Sequence, residues 1–72
     1  MKVVVYTKNS CGYCNMAKTL LKSKNIEFSE INIEEKPEAR DFVINEGHRT
    51  MPQIYIDDSS IGGYDALKKH LG

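Results

Sequence analysis

Tryptophan is absent from this 72-residue chain, cysteine and proline occur twice each, and neither sign of charge is in excess. Each shortage excludes something. Ten basic and ten acidic side chains cancel, which removes the electrostatic case for a nucleic-acid or membrane-surface partner. No apolar run approaches the roughly 20 residues that span a bilayer, and the first residues read as a strand rather than a signal peptide. Two cysteines are half of a cysteine zinc site, and His48 and His70 are too far apart to supply the other half, so no metal is expected. What is present, 40% hydrophobic and 28% charged residues, is the balance of one small soluble domain over residues 1–72. A lone cysteine pair without an export signal points to a reducing compartment, the cytoplasm.

Both cysteines lie in Ser10-Cys11-Gly12-Tyr13-Cys14. The β-branched run Val3-Val4-Val5-Tyr6 ahead of them reads as a buried strand. Behind them Tyr13, Met16, Ala17, Leu20 and Leu21 recur with helical period. Cys11 therefore stands where a strand hands over to a helix, near unpaired backbone N–H groups and the positive end of the helix dipole. A thiolate is favoured there, and the thiolate is the reactive form of cysteine. Lys8 adds a second positive charge. A purely structural disulfide across so short a loop would stabilise by only about 2 kcal/mol, against roughly 3 for a fifteen-residue loop. Asn15 stands where a C-x-x-C-H haem signature needs histidine. Reversible thiol–disulfide chemistry is the reading that remains.

Along the chain, strands are expected at residues 2–6, 26–33, 53–56 and 59–61, and helices at 12–23, 37–46 and 64–71. The valines of the first strand suggest a central position covered on both faces. Lys18, Lys22 and Lys24 lie off the stripe of the first helix and read as a solvated face, and Asn25 is its left-handed stop. In the second strand Ile26 and Phe28 share one parity while Ile31 and Ile33 take the other, which a bulge or a shorter strand would resolve. Pro37 opens the second helix, whose buried stripe is Ala39, Phe42 and Val43, and Gly47 ends it. Asp57-Asp58 is a hairpin turn, and Gly62-Gly63 bends the chain into the last helix. The order β-α-β-α-β-β-α gives a four-stranded mixed α/β sheet with three helices. Its first two strands are parallel through a right-handed crossover, and its last two form an antiparallel hairpin. A C-x-x-C beside such a βαβ unit is a redox motif on a thioredoxin-like fold.

Four stretches in this order resemble the glutaredoxins: Lys8-x-x-Cys11-Gly12-Tyr13-Cys14, the Phe28-to-Ile33 strand, Thr50-Met51-Pro52-Gln53-Ile54 and Ile61-Gly62-Gly63-Tyr64-Asp65. The resemblance covers essentially the whole chain. It differs from the thioredoxins proper, which carry a Trp before a C-G-P-C. It implies that Cys11 is the nucleophile and Cys14 the shielded resolving thiol. Pro52 would be the cis-proline facing the disulfide, with the Met51 backbone pairing to the cysteinyl part of glutathione. Lys8 would meet the glycyl carboxylate, Thr50 and Asp65 the γ-glutamyl end, with Tyr13 and Gly63 completing the groove. Plainer readings stand beside some of these: Tyr13 packs in the core, Asp65 caps the last helix. Arg40 and Arg49 read as solvated charges and His48 as a solvated loop residue.

The activity implied is that of a dithiol glutaredoxin, a monomer with no permanently bound cofactor. It would use glutathione as reductant and act on protein disulfides and glutathionylated proteins, ribonucleotide reductase among them. Two alternatives stay open: a redoxin reduced by thioredoxin reductase, against which Thr50, Gly62-Gly63 and Asp65 argue, and a carrier of a [2Fe-2S] cluster held by Cys11 and glutathione. Gly12 stands where many relatives have Pro, and Ala66 where many have an acid; the first leaves room for a cluster.

Overall fold

Parity along the central strand decides how the two faces of the sheet are used. In the computed structural model, which describes residues 1–72, the elements are β1 (Val3–Thr7), α1 (Gly12–Ser23), β2 (Ser29–Asn32), α2 (Pro37–Asn45), β3 (Gln53–Ile56), β4 (Ser59–Gly62) and α3 (Tyr64–Leu71). The sheet order is β2-β1-β3-β4, with β1 parallel to β2 and antiparallel to β3, and β3 antiparallel to β4. Val3 and Val5 of β1 point to the same face as Ile54 and Ile56 of β3, and Ala17, Leu21 and Leu67 from α1 and α3 close over them as one apolar core. Burying that many aliphatic side chains, at about 1.5–3 kcal/mol each, is the main driving force for a chain this small.

On the opposite face Tyr6 and Tyr55 meet α2. Their rings lie 5.6 Å apart, and Phe42 lies 5.5 Å from Tyr6 and 5.6 Å from Tyr55. Ala39 and Val43 are buried, whereas Val4, Tyr6 and Phe42 keep partial exposure. The central strand is thus fully covered only on its α1/α3 side. α2, only nine residues long, covers the other face in part.

The second strand is shorter than the periodicity predicts, and this resolves the parity conflict without a bulge. Ile26 and Phe28 pack against the α1/α3 core before the strand begins. Within it Glu30 is paired with Val5 and Ile31 with Tyr6, so Ile31 faces the α2 side. One stretch feeds both layers in turn. The irregularity in register falls instead between Ile54 and Tyr55, opposite β4.

The turns follow their residues. Asn25 and Gly47, each just past a helix, have φ of 57° and 85°. Asp57 and Asp58 both have positive φ, the type I′ geometry that matches the twist of a two-residue hairpin. Gly62 combines φ of 122° with a close approach: a Cβ there would sit 2.9 Å from that of Ala66. The backbone at this glycine lets α3 start directly behind β3, beside the cysteine pair.

Candidate active site

The loop between β1 and α1 is held from the side by the end of β2. Asn32 Nδ2 donates to Asn9 Oδ1 at 2.9 Å, the Glu34 N–H donates to Asn32 Oδ1 at 2.8 Å, and the Asn9 N–H donates to Glu34 Oε2. Ser10 adopts φ of 54°, a left-handed conformation that serine rarely takes unless its surroundings impose it. The clasp and this turn deliver Cys11 to the N-cap of α1. There the Cys14 N–H donates to Cys11 Sγ at 3.1 Å, and no acidic residue lies in the first turn. Both the backbone donor and the helix dipole favour negative charge on this sulfur. Cys11 and Cys14 form a disulfide, with Cα atoms 5.2 Å apart. Cys11 is half-buried; Cys14 is 2% exposed.

Opposite the sulfurs the Met51–Pro52 peptide is cis, and the Met51 carbonyl oxygen lies 3.6 Å from Cys11 Sγ. A groove of about 510 Å³ opens beside them, lined by Tyr13, Thr50, Met51, Pro52, Gly63, Tyr64, Asp65 and Ala66. Six residues expected at one ligand site, Tyr13, Thr50, Met51, Pro52, Gly63 and Asp65, thus share one groove. Lys8 is not among them. It lines a second groove of about 840 Å³, together with Ser10, Arg40, Arg49 and Met51. Met51, whose carbonyl oxygen faces Cys11 Sγ, is a wall of both grooves.

The alternatives left open for two of these residues are decided by geometry. Tyr13 is 63% exposed, with its ring 6.1 Å from that of Tyr64, and does not pack in the core. Asp65 makes no capping hydrogen bond, and the N-cap of α3 is Gly63. Tyr64 is a groove residue the sequence reading did not single out, although its place after Gly62-Gly63 was a usable signal.

A sequence model of the glutaredoxin family matches residues 3–61. The chain belongs to the glutaredoxin family. It is 46% identical to glutaredoxin 3 of Escherichia coli K12 over 66 residues, which is 90% of this chain and 80% of that one. The fold is similar to that of the glutaredoxin-like protein NrdH-redoxin from Escherichia coli, whose structure was described for its thioredoxin-like activity profile. That match has TM-score 0.86 and 28% identity, covering 96% of this chain and 93% of the other. The buckwheat glutaredoxin–glutathione complex gives TM-score 0.80 at 28% identity, over 96% of this chain and 67% of that one. The chain is a thiol–disulfide oxidoreductase of this family with a thioredoxin-like fold, and Cys11–Cys14 is its redox-active disulfide.

Two polar networks of this glutaredoxin were not visible in the sequence. His48, expected as a solvated loop residue, instead lies with Nε2 3.0 Å from the Tyr55 hydroxyl and its ring edge-on to the tyrosine. Tyr55 donates its own proton to Glu46 Oε1 at 3.1 Å, so His48 Nε2–H is the donor toward Tyr55. Burial first, and the hydrogen bond to Glu46 second, push the Tyr55 hydroxyl above its ordinary pKa. The correction has a physical reason: Tyr55 is buried in β3, and its hydroxyl needs partners, which Glu46 and His48 of the loop preceding β3 supply. The same loop leads into Thr50, whose carbonyl accepts from Gln53 Nε2 at 2.8 Å. On the other face Glu30 Oε2 accepts from Lys18 Nζ at 3.0 Å and from the buried Thr7 hydroxyl at 2.9 Å, and these bonds, Lys18 first, hold its carboxyl below the usual range. Lys18 is therefore paired and half-buried rather than one of a solvated row.

Proposed function

We propose that this chain is a dithiol glutaredoxin that takes electrons from glutathione and reduces protein disulfides and protein–glutathione mixed disulfides. The observation that carries the reading is the junction at Met51. A half-exposed, helix-capping sulfur lies over a carbonyl that walls a groove containing Tyr13, Thr50, Pro52, Gly63 and Asp65. A cysteinyl thiol bonded to Cys11 would pair its backbone with Met51 in the manner of an added strand. Its γ-glutamyl end would lie toward Thr50 and Asp65 and its glycyl carboxylate toward Lys8 across Met51. The buckwheat glutaredoxin with glutathione is a relative of the same fold.

The exchange balances as follows. The Cys11 thiolate attacks one sulfur of the client disulfide; the Cys11–client S–S bond forms, the client S–S bond breaks, and the displaced thiolate takes a proton. Cys14 loses its proton and attacks Cys11 Sγ, which releases the second client thiol and closes the Cys11–Cys14 disulfide. Two glutathione thiols then reopen it in two steps and leave as glutathione disulfide. With a glutathionylated client Cys11 accepts the glutathionyl group alone, and a second glutathione removes it. Ribonucleotide reductase is the client class the family resemblance supports, in a monomeric protein acting in a reducing compartment. No helix is long and apolar enough to cross a membrane.

Two further readings have an observation behind them. The likeness to the NrdH-redoxin, with its thioredoxin-like activity profile, supports reduction by thioredoxin reductase. A [2Fe-2S] cluster shared by two chains would draw Cys11 Sγ from each, and the neighbouring Gly12 is sterically open, since a Cβ there would meet no atom within 4 Å. A coupled assay separates the donors. NADPH consumption with glutathione and glutathione reductase is expected to exceed that with thioredoxin reductase, and the reverse order would overturn the proposal.

A further inference from the structure

β3 carries two kinds of residue, and one kind turns back on the segment that leads into it. Ile54 and Ile56 enter the core under α1 and α3. Gln53, the cross-strand partner of Tyr6, and Tyr55 take the opposite face, and both are buried. Their polar ends reach backwards along the chain, Tyr55 to Glu46 and His48, and Gln53 Nε2 to the Thr50 carbonyl at 2.8 Å. A carbonyl only accepts, so the nitrogen end of the amide is the end that faces Thr50. Burying an amide costs free energy that an apolar side chain at position 53 would not incur. The hydrogen bond offsets that cost, and what it holds is the peptide beside the cysteine pair.

We propose that Gln53 is a positioning residue that aims the Met51 N–H at the backbone of glutathione. The inference rests on the glutathione reading above and deepens it by naming what holds the backbone donor. The Thr50 carbonyl and the Met51 N–H belong to one peptide unit, and that unit is trans. In a trans peptide the two groups point in opposite directions. Fixing the carbonyl onto the buried Gln53 amide therefore turns the Met51 N–H away from Gln53. No carbonyl of the chain accepts that N–H. On the other side of the same residue, the Met51 carbonyl oxygen lies 3.6 Å from Cys11 Sγ. Met51 thus offers one donor and one acceptor, the pair that an extended backbone takes up as an added strand. Rotation of the 50–51 peptide about its flanking bonds would swing the donor off that line and leave the sulfur untouched. The Gln53 amide opposes this rotation. Its effect falls on thiols that carry a peptide backbone and not on thiols that lack one.

The test compares glutathione with 2-mercaptoethanol, a thiol without a peptide backbone, as reductant of the oxidised whole chain. Gln53→Met keeps the length of the side chain and removes the amide. It is expected to lower the rate constant for glutathione about fivefold, the worth of one hydrogen bond, and to leave that for 2-mercaptoethanol within about twofold. In steady state the KM for glutathione should rise by a similar factor with kcat nearly unchanged. The alkylation profile of Cys11 against pH should not move. Equal losses with the two thiols, or no loss with either, would overturn the proposal. Hydrogen exchange decides the matter even where Gln53→Met does not fold. With glutathione bonded to Cys11 of a Cys14→Ser chain, the Gln53 side-chain amide and the Met51 N–H should both be protected. With 2-mercaptoethanol there instead, only the Gln53 amide should be. An unprotected Gln53 amide in the glutathione adduct, or a Met51 N–H alike in the two adducts, would overturn the proposal. Both thiols are calibrated on a small free disulfide. After that correction, an unsubstituted chain with no preference for glutathione would overturn the glutathione reading and the proposal together. A preference that Gln53→Met retains would overturn the proposal alone.

Discussion

Cys11 and Cys14 are three residues apart and share one disulfide, but their surroundings differ in each respect that governs thiol reactivity. Cys11 is half-exposed, accepts the Cys14 N–H and sits at the dipole end of α1, whereas Cys14 is 2% exposed. In the reduced chain Cys11 should therefore titrate below the ordinary thiol value of about 8.5, read from its alkylation rate against pH. A free-thiol profile would refute the electrostatic account. Lys8→Gln is expected to raise the KM for glutathione severalfold while changing attack on a small uncharged thiol reagent much less. Equal losses would mean that Lys8 serves the thiolate and not the carboxylate. The cysteine pair was legible because a C-x-x-C between strand and helix carries its chemistry in residue type and spacing, and the cis bond at Pro52 was implied by the family resemblance. His48 was not. A histidine in a glycine-preceded loop carries no periodic signal, and its partner hydroxyl comes from a strand seven residues later. Tyr55→Phe tests that link: loss of two hydrogen bonds from a buried hydroxyl should lower stability by about 1 kcal/mol and raise the KM for glutathione through the loosened 46–51 loop. Unchanged stability and KM would show that the loop is held by other contacts.

Each element contributes to the site through its ends rather than its middle. α1 offers its N-terminus to the sulfur, the cis-proline directly precedes β3, and α3 starts at the glycine pair that lets Asp65 reach the groove. The most exacting of these joints is Gly62, because its φ of 122° and the 2.9 Å approach to Ala66 act together. Gly62→Ala should destabilise the fold by more than about 1 kcal/mol and displace α3, whereas Gly12→Ala, with no atom within 4 Å, should be nearly neutral by thermal unfolding. The link between α1 and β2 is electrostatic. Glu30 is held below its ordinary pKa by Lys18 and Thr7, so its contribution is present above the unfolded-state carboxyl value and is lost as pH falls through the lower folded value. Its side chain is 38% exposed, so screening keeps that contribution small. Acid unfolding of Glu30→Gln should be shallower on that flank, and an unchanged acid limb would remove the network from the account. Helix periods were readable from the stripes of α1 and α2. The extent of β2 was not, because Ile26 and Phe28 join one layer and Ile31 the other, and a run that changes face imitates a longer strand.

At the scale of the whole molecule the β-α-β-α-β-β-α order, the parallel β1–β2 pair and the β3–β4 hairpin were predictable from the helical crossover and the turn residues, whereas the antiparallel β1–β3 pair was not. The separation of Lys8 from the other groove residues was not, because it depends on which side of Met51 each loop passes. Met51 walls both grooves with its carbonyl 3.6 Å from Cys11 Sγ, and Cys14 is buried, as the proposed nucleophile and resolver require. The central claim is this division of labour under glutathione, and one pair of substrates tests it most directly. Cys14→Ser and Cys11→Ser should each be assayed with glutathione on a glutathionylated peptide and on a protein disulfide. The account predicts that Cys14→Ser keeps deglutathionylation and loses most reduction of the protein disulfide, while Cys11→Ser loses both. A folded Cys14→Ser protein inactive on both substrates, or a Cys11→Ser protein active on either, would contradict it.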